Sequence, residues 1–299
     1  MHDYDKYQNP KTTAEYYELL KDKIYSEEYR NKLIEIPIFR NCEFDISRLS
    51  ENYDNFINKI FQKEQLQSLT TLNLKSTLSA YLSYSRTSYL APAYNYNCYI
   101  NLLIEDNLNR VNNKSSLEYT DTYYTIITQN ILISIKSLLD RMVPIFSFYY
   151  SGFSLNTTFG HLDLNTNRGS GFMKHVQSIT RKTTDPLMSF IYEEYCSWIN
   201  RIVEPRDTII HYNDLCSEYR VTHDNRQFPM HHHTKIFGDS HDERTFDYDD
   251  GFYYKSLMKN IQDTYYFFDT ILNNLTSREI ICRKDHFITN TDYDNYKNT

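Results

Sequence analysis

Glycine and proline are scarce here, six and seven copies in 299 residues. An all-β chain of this length needs many tight turns, and turns draw on those two residues. Their scarcity argues against a sandwich or barrel and for long helices joined by polar loops. Tryptophan occurs once, and the five cysteines (Cys42, Cys98, Cys196, Cys216 and Cys282) form an odd set with no CxxC spacing. Free thiols in a reducing compartment follow from such a set better than a disulfide framework does. No apolar run approaches the roughly 20 residues of a spanning helix. The opening MHDYDKYQNP lacks the apolar core of a signal peptide. A cytoplasmic protein without a membrane segment is the expectation. Net charge is −7, so there is no general electrostatic grip on nucleic acid, and any such contact has to be local. GxGxxG, Walker A, HExxH and GxSxG are all missing, which removes the usual support for nucleotide-dependent and serine- or zinc-hydrolase functions. No cofactor is implied.

Tyrosine is what the chain has in excess, 29 copies against 17 phenylalanines. The bland reading is amphipathic packing, with the ring inward and the hydroxyl in water.

Helical periodicity is clearest in four places. Ser115 and Glu118 have capping-box spacing, and Tyr123, Ile127, Ile131, Ile135, Leu138, Met142 and Ile145 then step by three or four along one face. Pro144 should kink or end that helix. A second helix starts with Asp185 as N-cap and Pro186 at its first position, with a stripe of Leu187, Ile191, Tyr195, Trp198 and Ile202. A short third helix opens at Pro205. A fourth carries Tyr254, Leu257, Ile261, Tyr265, Phe268 and Leu272 on one face. In the first hundred residues TTAEYYELLKDKIY and EQLQSLTTLNLKSTLSAYLSY read as helices, with APAYNYNCY as a break between elements. The stretch 152–184 reads as a long polar connection, and 218–250 as a small β-hairpin or irregular insert. The end, RKDHFITNTDYDNYKNT, reads as a frayed polar tail.

One short stretch carries chemistry. In NRIVEPRDTIIHYNDL, Pro205 sets a first helical turn that also holds Arg206 and Asp207. A helix start favours anions, and a guanidinium binds phosphate through two parallel bonds. His211 lies five residues beyond Arg206, about 140° around an ideal helix, so the two converge only if Arg206 reaches across. Asp207 and His211 are an i, i+4 pair in which the carboxylate can orient the imidazole. Such a pair can cleave RNA without metal: histidine moves the proton of the 2′-hydroxyl or of the leaving oxygen, and arginine stabilises charge on the phosphorus oxygens. Read alone, the spacing is the better fit to a surface Arg206 paired with Glu204 or Asp207 and an ordinary half-buried His211.

PRDTIIHY resembles the R-x4-6-H motif of the HEPN superfamily, in which a polar residue commonly follows the arginine. Asp207 holds that place, and four residues separate Arg206 from His211. The order of helices around the motif matches as well. The resemblance spans residues 115–275, about half the chain. It implies an all-α helical bundle of HEPN type that dimerises, with the motifs of two protomers meeting in a cleft. It further implies metal-independent endoribonuclease activity, often in toxin–antitoxin or antiviral defence systems, with an antitoxin or defence protein as a possible partner. Other members are non-catalytic binding modules. Under the resemblance Arg206 and His211 take the catalytic places, with Asp207 beside them. Residues 1–114 are then an N-terminal helical elaboration, 115–280 the bundle and 281–299 the tail.

Two further groups invite function. Arg168, Lys174, Arg181 and Lys182 make the connection after residue 152 locally basic; a solvated loop is the preferred reading, and beside the motif the segment would guide an RNA backbone. His231, His232 and His233, with His223 and His241 nearby, give two same-face ligands on a strand but no third at a recognised metal spacing. An exposed polar hairpin is the preferred reading, and no metal site is assigned. Asp140 and Arg141 interrupt an apolar stripe and are expected at its edge.

Overall fold

The computed structural model describes residues 43–63, 72–113, 121–164, 166, 168–181, 183–203, 215–221, 229–237, 243–246, 253–287 and 294. For 72–73, 103–113, 121–122, 124–125, 253–256 and the strands the backbone course alone is described. The chain is an all-α helical bundle with a small antiparallel insert. Six helices are described: α1 (Ile46–Phe61), α2 (Leu72–Asn113), α3 (Asp121–Phe146), α4 (Gly171–Thr180), α5 (Pro186–Glu194) and α6 (Tyr253–Thr276). Strands β1 (Leu215–Val221), β2 (Pro229–Phe237) and β3 (Glu243–Phe246) pair antiparallel in the order β1-β2-β3.

Two compact units are distinguished: 1–46, 91–133 and 205–263 form one, and 47–90, 134–204 and 264–299 the other. In the first, the side chain of Asn97 reads the backbone of Phe44 at both ends, accepting from its N–H (2.8 Å) and donating to its carbonyl (2.9 Å). Phe44 also meets Tyr96 edge-on, with ring centres 5.3 Å apart.

In the second unit α1 buries Leu49, Tyr53, Phe56 and Ile60, the three-and-four spacing that places one helix face in a core. α3 buries Ile135, Leu138, Met142 and Ile145 there, and α6 buries Tyr265, Phe268 and Leu272. In the first unit Ile131 of α3 and Leu257 and Ile261 of α6 are buried too. The expected stripe of α3 fails at its start, since Tyr123 is 62 % exposed. Ser115 and Glu118 lie outside the described residues. Pro144 stands inside α3, which ends two residues later at Phe146. The proline offers no N–H to the carbonyl one turn back, and the Ser147 hydroxyl donates to the Pro144 carbonyl (2.7 Å).

Three sequence expectations are corrected. APAYNYNCY is not a break: α2 runs through it with Pro92 inside. An interior proline costs about 3 kcal/mol, and here burial of Pro92, Ala93, Tyr96 and Tyr99 overrides it. The connection after residue 152 is not merely polar loop. It buries Phe153, Phe159 and Leu162 and then forms α4, which buries Phe172, Met173 and Val176. The tail does not fray at its beginning, since Ile281 N–H donates to the Phe148 carbonyl (2.7 Å) and His286 is fully buried.

The N-terminus of α5 forms as its residues dictate. Asp185 caps it, accepting from the N–H groups of Leu187 (2.9 Å) and Met188 (3.1 Å), with Pro186 following. The same carboxylate receives both guanidinium nitrogens of Arg278 (3.0 and 3.1 Å) and the Tyr150 hydroxyl (3.1 Å), while Arg278 lies 4.8 Å over the Tyr150 ring. Burial alone would raise the Asp185 pKa; Arg278, the Met188 amide and Tyr150 together hold it below the usual carboxylate value. Replacing Asp185 with Ala removes a cap and a bidentate partner together, and should cost about 2 kcal/mol or more in urea unfolding. Asp185→Asn keeps the cap and should cost less. Equal stability of wild type and both variants would contradict this role.

Candidate functional site

α5 continues past Glu194 through a π-helical turn, Tyr195–Ile199, and helical backbone extends to Val203. Its apolar residues are spaced by four: Leu187, Ile191, Tyr195, Ile199. In a regular α-helix each such step drifts about 40° around the axis, and a wider turn offsets that drift. The turn therefore brings Ile199 into the buried face where Trp198 was expected. Trp198 is half-buried instead, and its indole N–H donates to the Glu194 carboxylate (2.6 Å). Ile202 and Val203 are buried and end the described helix two residues before Pro205. Arg206, Asp207 and His211 lie outside the described residues, as does Lys182.

The π turn also fixes the loop that precedes α4. The Tyr195 hydroxyl accepts from the Leu162 N–H (2.7 Å) and donates to the Leu162 carbonyl (3.1 Å), a two-way clamp on one residue. Leu162 bridges Gly169, and the Asp163 N–H donates to the Arg168 carbonyl (2.8 Å), so 161–170 doubles back as a narrow hairpin. Gly160 and Gly171 have φ of 71° and 57°, and a Cβ at either would meet backbone oxygen at 2.2 and 2.6 Å. Only glycine fits both.

The loop and α4 hold the basic residues. Arg168, Lys174 and Arg181 are all exposed. A Cβ at Gly169 would lie 3.6 Å from the Lys174 Cα, so the backbone next to Arg168 abuts the first turn of α4. Arg181 lies two turns along the same helix face as Lys174, roughly 10 Å away. The first amides of α4 do not form an anion site, because Phe172 N–H donates to Thr158 and Met173 N–H to Phe159. Ser170, the N-cap, leaves its helix uncapped and pairs with His161 Nδ1 (3.1 Å). This exposed Ser170–His161 pair was not anticipated from the sequence, and only the tertiary hairpin joins its members.

Asp140 is at the edge of its stripe as expected. It pairs with buried Lys136 (2.7 Å) and accepts the Phe159 N–H (2.8 Å), which anchors the loop to α3, while Arg141 is exposed. Cys98, Cys196 and Cys282 are thiols rather than disulfides. Of the histidine cluster the backbone register is described: His231, His232 and His233 of β2 stand opposite Arg220, Tyr219 and Glu218 of β1. Among the described residues no group of three His, Cys, Asp or Glu is placed to hold a metal, and no helix is long and apolar enough to cross a membrane. No family model, curated protein or solved structure matches this chain.

Because Arg168 and Lys174 are exposed, Arg168→Ala and Lys174→Ala should leave folding stability within about 0.5 kcal/mol. If they contact RNA phosphates, each should weaken binding and reduce the salt slope by about one charge. Filter binding across a salt series reads this; unchanged slopes would remove both residues from the interface.

Proposed function

We propose that this chain is a metal-independent endoribonuclease of HEPN type acting as a homodimer, with RNA as its substrate and a toxin or antiviral defence role as its setting. One observation carries the reading: PRDTIIHY follows directly on a capped helix within an all-α bundle, with another long helix, α6, after it. That is the setting in which the R-x4-6-H motif works in the superfamily. His211 takes the 2′-hydroxyl proton or returns one to the leaving 5′-oxygen, Asp207 orients the imidazole, and Arg206 stabilises the charge on the phosphorus oxygens. The attacking group belongs to the substrate, so DNA is not cut. Arg168, Lys174 and Arg181 are proposed phosphate contacts of the same substrate. An antitoxin or defence protein would be the partner that restrains the activity.

Purified wild-type protein should cleave RNA in EDTA and leave 2′,3′-cyclic phosphate ends. His211→Ala should lower the rate by about 10²–10⁴-fold, and Arg206→Ala by about 10²–10³-fold, with folding unchanged. Retained activity in both variants would overturn the assignment. Bound but uncut RNA, equal for wild type and variants, would favour the non-catalytic binding module.

A further inference from the structure

The segment Ile281–Phe287 lies against the end of α3 through a histidine ring buried on Phe148. His286 is fully buried, whereas Lys284 and Asp285 beside it are exposed. Its ring stacks on Phe148, with centres 4.1 Å apart and planes 19° apart. Nδ1 accepts the Arg283 backbone N–H (3.3 Å), and Nε2 faces the Ser147 hydroxyl (3.3 Å). Ser147 already donates to the Pro144 carbonyl, so it accepts from Nε2–H, and the tautomer is fixed with the lone pair on Nδ1. A second proton would sit on Nδ1, facing the Arg283 amide proton. The bond would become a contact between two donors.

The surroundings offset the cost of charging the ring only in part: burial and Arg283 oppose the proton, while Asp285 and the backbone of Ile281 and Ser147 favour it. α3 presents the neutral Ser147 and Phe148. α2 presents Tyr81, edge-on to Phe148. The segment itself brings Arg283, Lys284 and Asp285, and Asp285 is already engaged by the Arg283 guanidinium (2.8 Å). Two further bonds complete the attachment, Ile281 N–H to the Phe148 carbonyl (2.7 Å) and Arg283 to the Ser151 carbonyl (3.0 Å).

We propose that Ile281–Phe287 is an acid-releasable strap over the C-terminal end of α3, opened by protonation of His286. It is independent of the ribonuclease reading. Burial lowers the His286 pKa from 6.5 to about 4; Asp285 and the backbone of Ile281 and Ser147 oppose this, and Arg283 adds to it. The open strap therefore binds the proton more tightly than the closed one. Closure is fully present above pH 6.5, weakens as pH falls from 6.5 towards 4, and changes no further below that. The weakening reaches roughly 30-fold at pH 5 and about 300-fold in full.

Hydrogen exchange of the full chain at pH 7.5 and 5.0, corrected for intrinsic rates, tests this on the wild type and His286→Phe. The wild-type strap should exchange roughly 30-fold faster at pH 5.0, while Leu138–Val143 of α3 keep their protection. The phenylalanine variant, which stacks but cannot titrate, should show no pH step in the strap. A wild-type strap equally protected at both pH values, a step that persists in the variant, or parallel opening of Leu138–Val143 would overturn the proposal. Should the variant not fold, NMR titration of the wild-type imidazole decides. A value well below 6.5 in the folded chain is expected, and an ordinary value overturns the proposal.

Discussion

A buried hydroxyl must find an acceptor, and a chain that packs its core with tyrosine has to meet that demand many times. Three of the buried tyrosines meet it with backbone carbonyls far away in sequence. Tyr53 donates to Leu82 (2.8 Å), Tyr265 to Tyr89 (2.8 Å) and Tyr195 to Leu162 (3.1 Å). Leu82 and Tyr89 lie in α2, and a helix carbonyl has a second lone pair beyond the one its own ladder uses, so these two bonds need not break the helix that accepts them. They are directional where leucine packing is not, and they set which turn of one element faces which turn of another. Tyr149 is the exception: its hydroxyl is buried without a partner, and its ring lies 5.1 Å beneath the Lys63 ammonium, which also donates to the carbonyls of Leu275, in the last turn of α6, and of Arg278, just beyond it.

Charged groups follow the same rule. Asp185 caps α5 and holds Arg278, and Asp140 pairs with Lys136 and holds the Phe159 amide. In each case one carboxylate joins a helix to a segment that has no helical ladder of its own at that point. The loop before α4 is held by two polar anchors, Asp140 at Phe159 and Tyr195 at Leu162, and Gly160 lets its backbone close on the Ser170 carbonyl. A polar-looking loop that is fixed this firmly can present Arg168 and Lys174 from a rigid base.

Much of the helical architecture was legible in the sequence because its causes are local. Asp185-Pro186 is a complete start signal, and the faces of α3 and α6 repeat at helical spacing. What was not legible has causes at long range. Pro92 reads as a breaker because the burial that retains it cannot be seen in APAYNYNCY. Trp198 was placed on the buried face because a π turn leaves no mark in composition. The tyrosines were read with their hydroxyls in water, yet Tyr53, Tyr195 and Tyr265 turn theirs inward to carbonyls that no local pattern identifies. The Asp185–Arg278 pair and the seat of His286 on Phe148 join residues far apart along the chain. The candidate site is the reverse case: PRDTIIHY is visible only as a motif, and its chemistry rests on residue types and spacing.

That chemistry makes one demand that no other reading shares, since the nucleophile must belong to the RNA. An oligonucleotide cut by the wild type in EDTA, remade with a single 2′-deoxy residue immediately 5′ of the scissile phosphate, isolates it. Cleavage should vanish at that bond and continue at its neighbours. Continued cleavage at the deoxy position, or a requirement for divalent metal, would contradict attack by the 2′-hydroxyl under Arg206 and His211.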